Sequence, residues 1–259
     1  MNQTALITGA SNGIGLEFAY LFAHKQYNLV LVARSEEKLN ELAHELERKY
    51  GISATVIAQD LATDGADQLI MKQLDAKGIE VDILINNAGF GGFGEFANTN
   101  LENELNMIQV NITALTALTK RVLPGMMKRK RGRILNVAST AAFQPGPLMA
   151  VYYASKAYVL SFSEALANEL KDHHITVTAL CPGPTKTGFT EKANLEKSKL
   201  FKQMKVMDVK TVVEAGYSGM MKGKTVIIPG LQNKLLASST RFAPRNVVTS
   251  IVRSIQERV

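Results

Sequence analysis

The sequence has little cysteine and lacks long uncharged apolar runs. Cys181 is the one cysteine among 259 residues, so no disulfide can form within the chain, which fits a reducing compartment. No apolar run approaches the roughly 20 residues that span a bilayer. The first residues already form an apolar, strand-like run and lack the basic start and cleavage site of a secretory signal. We therefore expect no transmembrane segment and a cytoplasmic location.

The sequence also lacks repeats, linkers and low-complexity tracts. Proline and glycine are scattered, and no stretch rich in serine, glutamine or charge is long enough to indicate disorder. With 46% hydrophobic residues, a chain of this length can bury one sizeable core. These features predict one domain over residues 1–259.

Acidic residues are scarcer than basic ones, since 30 Lys and Arg face 23 Asp and Glu and give a net charge of +7. The densest basic cluster, at 128–133, falls where a long helix should end, and cations there complement the negative helix C-terminus. No aromatic side chains alternate with the cluster to stack on bases. This favours a solvated helix end over nucleic-acid binding. The four histidines lack metal-ligand spacing, so no metal site is expected.

Apolar, β-branched runs alternate with helical patterns along most of the chain. The helical pattern over 35–50 places Leu39, Leu42, Ala43 and Leu46 on one face. Continuous apolar strands separated by helices indicate a parallel sheet covered on both faces, hence an α/β fold with a doubly wound (Rossmann) sheet. Ligands bind such sheets beyond the carboxyl ends of the strands. The predicted strands are 4–8, 28–33, 54–59, 82–86, 133–138, 176–181 and 225–229.

A glycine-rich turn follows the first predicted strand and leads into a helix. Glycines permit a tight turn and close backbone approach, and the helix N-terminus offers free N–H groups to a pyrophosphate. The spacing is GxxxGxG rather than the GxGxxG of the familiar dinucleotide fingerprint. The alternative is a purely structural turn. The candidate cofactor-binding residues in this turn are Gly9, Ser11, Asn12, Gly13, Ile14 and Gly15.

Two further candidates follow strands 2 and 3. Arg34 stands where an acidic residue would bind the ribose 2′-hydroxyl of NAD; a guanidinium there suits the 2′-phosphate of NADP instead. The alternative is a solvated loop arginine. Asp60 ends strand 3, where it is placed to contact adenine or, alternatively, to cap the next segment.

Taken together, the motifs resemble those of the short-chain dehydrogenase/reductase family. They are TGASNGIG at 8–15, Asp60-Leu61, NNAG at 86–89, Asn111, Ser139, Tyr152-x-x-x-Lys156 and PGPTKT at 182–187. The resemblance implies an NADP(H)-dependent carbonyl reductase or alcohol dehydrogenase. It also implies that two further groups hold the cofactor: Asn87, Ala88 and Gly89 on the ribose side, and Pro182, Gly183, Thr185 and Thr187 at the nicotinamide carboxamide. By the same resemblance Tyr152 and Lys156 contact the cofactor, and Lys156 holds the nicotinamide ribose hydroxyls.

The same resemblance implies a catalytic group of Asn111, Ser139, Tyr152 and Lys156. A phenol has a pKa of about 10, and a lysine four residues on lies on the same helical face. At ~4 Å and an effective dielectric of ~20 the attraction is on the order of 4 kcal/mol, so we expect a lowered pKa for Tyr152. Ser139 would stabilise charge on the substrate oxygen. Asn111 would form a helix irregularity that positions a water in a relay to Lys156. Tyr153 is a rival that lacks a lysine at 157.

The substrate side is less constrained. Phe90, Phe93 and Phe96, a lid over 188–207 and residues such as Phe143 and Met149 suggest walls for an apolar carbonyl or alcohol substrate, or else core and subunit packing. The C-terminal extension, 231–259, resembles the family branch of acyl-CoA ketoreductases and hydroxysteroid dehydrogenases. It could cap the pocket, contact a subunit or rest on a membrane; the first two are favoured. Helices at 101–127 and 151–172 form the family's usual interface, so a homodimer or homotetramer is expected.

Overall fold

A seven-stranded parallel sheet forms the centre of the molecule in the computed structural model, which describes residues 3–187 and 206–257. The strand order is β3-β2-β1-β4-β5-β6-β7, so the order reverses between β1 and β4. This confirms the predicted doubly wound α/β fold. The strands are β1 Thr4–Thr8, β2 Asn28–Ala33, β3 Ala54–Ala58, β4 Ile83–Asn86, β5 Gly132–Val137, β6 Ile175–Leu180 and β7 Val226–Ile227.

Helices cover both faces of the sheet. On one face, the helices that begin at Gly13, Glu36 and Val209 contact the sheet through residues such as Phe18, Leu39 and Val212. On the other face, the helices that begin at Ala66 and Leu115 contact it through residues such as Ile70 and Leu118. Within the described residues the α-helices are α1 Gly13–His24, α2 Glu36–Tyr50, α3 Ala66–Ala76, α4 Leu101–Ile108, α5 Leu115–Arg129, α6 Ala150–Glu169, α7 Val209–Met221, α8 Leu231–Ser239 and α9 Arg245–Gln256.

The predicted strand bounds agree with the structure to within one residue for the first six strands. The seventh, predicted over 225–229, is only two residues long and pairs with β6 alone. Proline 229 has no N–H for a ladder, which favours an early end. Gly51 ends α2 in the left-handed region at φ 67, as a glycine after a helix commonly does.

The stretch 101–127, predicted as one helix, is divided. A π-helix over Gln109–Ala114 separates α4 from α5, and this is the irregularity expected around Asn111. The basic cluster ends α5: Lys130 is left-handed at φ 50, Arg129 pairs with Glu80 and Arg131 with Asp82. No helix in the described part of the chain is long and apolar enough to cross a membrane.

The described part of the C-terminal extension, 231–257, forms two helices separated by residues 240–244, and Pro244, where the sequence pattern is broken, directly precedes the second. Helix α9 packs Val248 and Val252 against Met149, Tyr152 and Tyr153. Of the predicted lid, 188–207, only residues 206 and 207 are described; the rest lies outside the described residues. Met207 forms a β-bridge with Thr185.

Candidate active site

A cavity of about 1040 Å³ runs along the carboxyl edge of the sheet. One end, the glycine-turn half, is lined by residues 9, 11–14, 34, 35, 38 and 59–62. The other, the C-terminal half, is lined by residues 149, 152 and 153 and by helices α8 and α9. Of the residues predicted to be catalytic or to bind the cofactor, Gly15 and Asn111 lie outside the lining and all the others line the cavity.

The turn between β1 and α1 depends on glycine. Gly9 and Gly13 have φ values of 65 and 56, which side chains rarely adopt. A Cβ on Gly15 would lie 2.2 Å from the Gly9 carbonyl oxygen, so Gly15 permits close packing behind the turn. Asn12 begins α1 with no side-chain capping bond among the described residues. Gly13 and Ile14, the first residues of α1, line the cavity, and a helix N-terminus of this kind suits an anion.

Thr8 and Asn87 brace this turn from behind. The Thr8 hydroxyl accepts hydrogen bonds from the backbone N–H groups of Asn87 and Ala88, each at 3.0 Å. The Asn87 amide donates to the carbonyl oxygens of Thr8 and Gly9 at 2.9 and 3.2 Å. Asn87 thus holds the turn in addition to lining the cavity. We did not predict the contribution of Thr8, although its position at the last residue of a strand could have indicated it.

A basic pair lies at the far end of the glycine-turn half. Arg34 follows β2, and Lys38 in the first turns of α2 lines the same end of the cavity. Lys38 was not predicted, although its spacing of four residues from Arg34 was visible in the sequence. Asp60 also lines this end, and its carboxylate accepts a hydrogen bond from the Ala62 N–H at 3.0 Å. This is a turn bond within the loop, and it does not cap α3, which begins after Gly65. The contact of Asp60 with adenine stays a prediction; beside it, Leu61 is buried.

The loop after β6 closes the middle of the cavity. The Thr185 hydroxyl donates to the Gly183 carbonyl at 2.9 Å. A Cβ on Gly183 would lie 2.5 Å from Asn233 Oδ1, so α8 packs tightly on this loop. A Cβ on Gly13 would lie 3.2 Å from the Thr187 Cβ. The loop over Pro182–Thr187 and the glycine turn therefore approach each other across the cavity.

Tyr152, Ser139 and Lys156 meet where the two halves of the cavity join. Tyr152 and Lys156 lie one turn apart on α6, and both are buried. A hydrogen bond joins Ser139, just beyond β5, to the Tyr152 hydroxyl. The Lys156 ammonium donates to the Val137 carbonyl at 2.8 Å and lies 5.8 Å from the centre of the Tyr152 ring. The arrangement holds a phenol, a hydroxyl and an ammonium in one buried group.

The pKa of Tyr152 differs from our expectation. Burial raises it above the usual value of 10.0, and the hydrogen bond from Ser139 offsets only part of that rise. The prediction of a lowered pKa was wrong because it counted the attraction of Lys156 and underestimated the lost hydration of a buried phenolate. Burial also lowers the pKa of Lys156, from 10.5 to about 8. Because its own pKa is raised, the Tyr152 phenol keeps its proton at neutral pH.

Asn111 lies in the π-helix behind the site. Its side chain donates to the Phe90 carbonyl at 2.9 Å and to the Ser155 hydroxyl at 3.0 Å, and it accepts from the Phe90 N–H at 3.1 Å. A Cβ on Gly89 would lie 2.9 Å from Asn111 Oδ1 and 3.4 Å from Lys156 Nζ. Asn111 thus fixes the loop after β4 beside Lys156. Its proposed relay role stays a prediction.

Apolar side chains dominate the C-terminal half. Phe90, Met149, Val248 and Val252 line it, as the aromatic and C-terminal patterns had suggested. Phe96 does not: it belongs to a short 3-10 helix, is 63% exposed and lies outside the cavity lining. Phe93 and Phe143 also lie outside the cavity lining. The pattern of three phenylalanines was therefore an incomplete guide, because Phe90 alone of the three lines the cavity.

A doubly wound sheet with a glycine turn at its first strand–helix junction, and a buried Tyr–Ser–Lys group beyond its strand ends, defines a nucleotide-binding α/β enzyme. The model of the short chain dehydrogenase family matches residues 3–198. The chain therefore belongs to the short-chain dehydrogenase family.

Known relatives lie in the branch that the C-terminal extension was predicted to resemble. Mouse 17-beta-hydroxysteroid dehydrogenase type 3 is 34% identical over 266 residues, covering 100% of this chain and 86% of the relative. A very-long-chain 3-oxoacyl-CoA reductase of Pyrenophora tritici-repentis is 44% identical over 178 residues, covering 67% of this chain. The aligned region spans only 52% of that reductase. A solved short-chain dehydrogenase from Sphingobium yanoikuyae, in complex with NADPH, is 33% identical with a TM-score of 0.84 over 95% of both chains.

Proposed function

We propose that the protein is an NADP(H)-dependent oxidoreductase that reduces the carbonyl group, or oxidises the secondary alcohol, of an apolar substrate. The observation that carries this proposal is the position of the Tyr152 hydroxyl. It is hydrogen-bonded to Ser139, and Lys156 lies one helical turn away. All three residues line a cavity that continues to the glycine turn. Family membership and the named activities of the relatives support it.

The residues present suit a dinucleotide. Ligand pockets have volumes of roughly 300–1,000 Å³, so a cavity of about 1040 Å³ has room for a cofactor together with a substrate. The free N–H groups of α1 would hold the pyrophosphate. Arg34 and Lys38 would pair with a 2′-phosphate, which favours NADP over NAD, and the NADPH complex of the Sphingobium relative supports this preference. When bound, the nicotinamide supplies a hydride to the substrate carbon.

The side chains would supply the proton and the charge stabilisation. Because the pKa of Tyr152 is raised, its hydroxyl carries a proton that it can donate to the substrate oxygen during reduction. Ser139 would donate a hydrogen bond to the same oxygen as negative charge develops there. The Lys156 ammonium would stabilise the resulting phenolate until solvent returns the proton. In oxidation Tyr152 would accept the proton instead.

The C-terminal half favours an uncharged substrate. The charged side chains among its described lining residues are limited to Lys156; Arg34, Lys38 and Asp60 lie in the glycine-turn half. Apolar walls around the phenol suit a fatty acyl, steroid-like or aromatic ketone. The steroid and acyl-CoA activities named for the relatives are of the same chemical kind.

Oxidation of NADPH and of NADH should be measured with a panel of apolar ketones that includes fused-ring, aryl and long-chain compounds. We expect turnover of at least one ketone and a preference for NADPH. Binding of NADPH without turnover of any ketone or oxidation of any alcohol would contradict the proposal and indicate a cofactor-binding regulator. Preferential use of NADH would contradict the proposal that Arg34 binds the 2′-phosphate of NADP.

We also infer that the chain is one domain that forms a homo-oligomer through α4, α5 and α6. These helices expose Leu101, Leu105, Ile108 and Tyr158, and Tyr158 stacks on Phe162. A surface of this kind is typical of a subunit contact. Light scattering after size-exclusion chromatography should give the mass of a dimer or tetramer, and Leu105→Glu should reduce the mass of the assembly. A monomeric mass for the unaltered protein would contradict the inference.

A further inference from the structure

Gln256, near the end of α9, is buried in the cavity wall. It is 1% exposed, and its amide nitrogen donates to the Tyr153 hydroxyl. Its amide oxygen is also buried, and no residue that the structure describes offers it a hydrogen bond. A buried acceptor without a donor is costly, and such groups often mark a ligand contact. Gln256 is among the residues that line the cavity, so a ligand bound there is a candidate source of the missing donor.

Tyr153 is held in a fixed orientation beside Gln256. A Cβ on Gly146 would lie 2.1 Å from the Tyr153 ring, so the ring rests directly on the Gly146 backbone. The Tyr153 backbone N–H donates to the Met149 carbonyl at 3.0 Å. Burial raises the pKa of Tyr153 to about 12, so its hydroxyl is neutral. That hydroxyl accepts from Gln256 and donates to no residue that the structure describes, so its proton is available to a ligand.

The surroundings of this pair are apolar. Val248, Val252, Met107 and Met149 belong to the same buried cluster as Tyr153. The rings of Tyr152 and Tyr153 are neighbours, with centres 6.0 Å apart. One uncharged polar pair thus lies in an apolar wall, directly beside the proposed proton donor.

We propose that Tyr153 and Gln256 form a subsite for a second, uncharged polar group of the substrate, one that both donates and accepts hydrogen bonds, such as a hydroxyl. The Gln256 amide oxygen accepts a hydrogen bond from the substrate hydroxyl, and the Tyr153 hydroxyl donates a hydrogen bond to the oxygen of that substrate hydroxyl. The preferred substrate is then an apolar hydroxyketone rather than a plain hydrocarbon ketone. This inference rests on the proposed reductase function and names the substrate feature that the site selects.

The test is a series of fused-ring ketones that carry one hydroxyl at successive ring positions, each paired with the ketone that lacks it. For the unaltered protein we expect kcat/KM to be about 10- to 100-fold higher for the hydroxyketone at one or two positions. Gln256→Leu and Tyr153→Phe should each reduce that ratio to within about threefold of unity, because each removes one half of the subsite while keeping most of its volume.

Arg253→Gln is the matched control. Arg253 lies on the same helix, is half-exposed and is bonded to Glu95, so its loss weakens the attachment of α9 without altering the cavity. It should leave the hydroxyketone ratio unchanged. If Gln256→Leu and Arg253→Gln instead lower kcat/KM for both members of each pair equally, Gln256 only anchors the helix and the proposal is wrong. Absence of any hydroxyl preference in the unaltered protein would also overturn it.

Turnover of the plain ketones separates this inference from the proposed function. If the unaltered protein reduces plain ketones with NADPH but shows no hydroxyl preference, the reductase assignment stands and the subsite does not. If it reduces none of the ketones in the series, the reductase assignment fails and the subsite fails with it.

Discussion

The two halves of the cavity are built in different ways. The glycine-turn half consists mainly of backbone and of short turns directly after β1, β2 and β3; the central residues of β1 and β2 are fully buried. The C-terminal half consists of side chains from the loops after β4 and β5, from α6, and from two helices at the far end of the chain. A cofactor that many enzymes share can be bound by backbone that the sheet itself positions. A particular substrate requires specific side chains, and these can be substituted without disturbing the sheet.

The largest effect is expected where the halves meet. Tyr152→Phe should lower kcat by roughly 100- to 10,000-fold, because it removes the proton donor and keeps the ring. NADPH binding, measured by titration of its fluorescence, should stay within about twofold of the original. Tyr50→Phe, the same change at the end of α2 and outside the cavity lining, is the control and should leave kcat unaltered. Retained turnover in the Tyr152 variant would invalidate the assignment of the proton donor.

A change confined to the glycine-turn half should affect the cofactor alone. Arg34→Ser should raise the Kd for NADPH about 10- to 100-fold, because a charge-assisted contact with the 2′-phosphate is lost, and should leave NADH binding nearly unchanged. Arg48→Ser, an exposed change of equal charge at the other end of α2, is the control. An equal rise in the Kd values for NADPH and NADH would show that Arg34 does not bind the 2′-phosphate.

The pH dependence tests the junction between the halves. Burial lowers the pKa of Lys156 to about 8, so its ammonium is charged below that pH and neutral above it. The rate of ketone reduction should be level below pH 8 and fall roughly tenfold per unit at higher pH, since the phenolate loses its stabilising charge. Initial rates across a buffer series at saturating NADPH would measure this. A rate that stays level up to pH 10 would contradict the role of Lys156.

The smallest effect is expected in the C-terminal half. Val252→Ala should raise the KM for an apolar ketone about three- to tenfold, because it removes apolar surface from the cavity wall. The Kd for NADPH should not change. Val247→Ala, on the exposed side of the same helix, is the control. An equal change in the Kd for NADPH would mean that the two halves are not independent.

Local sequence patterns were sufficient for most of the sheet and for the glycine-turn half. Alternation of apolar runs located six strands to within one residue, and the glycines of the turn show their required backbone angles at Gly9 and Gly13. The pattern at 225–229 overstated the last strand, and the phenylalanine at 96 proved to be exposed. Both errors concern segments at an edge or in a loop, where neighbours in space outweigh local propensity.

The pKa of Tyr152 shows a second limit. Its spacing from Lys156 was visible in the sequence, and the attraction between the two groups follows from that spacing. The burial of both side chains depends on the packing of α6 against elements distant in the chain. Because desolvation is the larger cause, the sign of the shift could not be obtained from the spacing alone.

The sequence by itself determined the fold, the family, and the positions of the turn and of the Tyr–Ser–Lys group, since each follows from periodicity or from short motifs at strand ends. Only the tertiary structure decided how the C-terminal half is built. Tyr153 and Gln256 are 103 residues apart in the chain, and they meet because α9 folds back over α6. A contact of that kind arises from packing between distant elements, which leaves no periodic pattern in either segment.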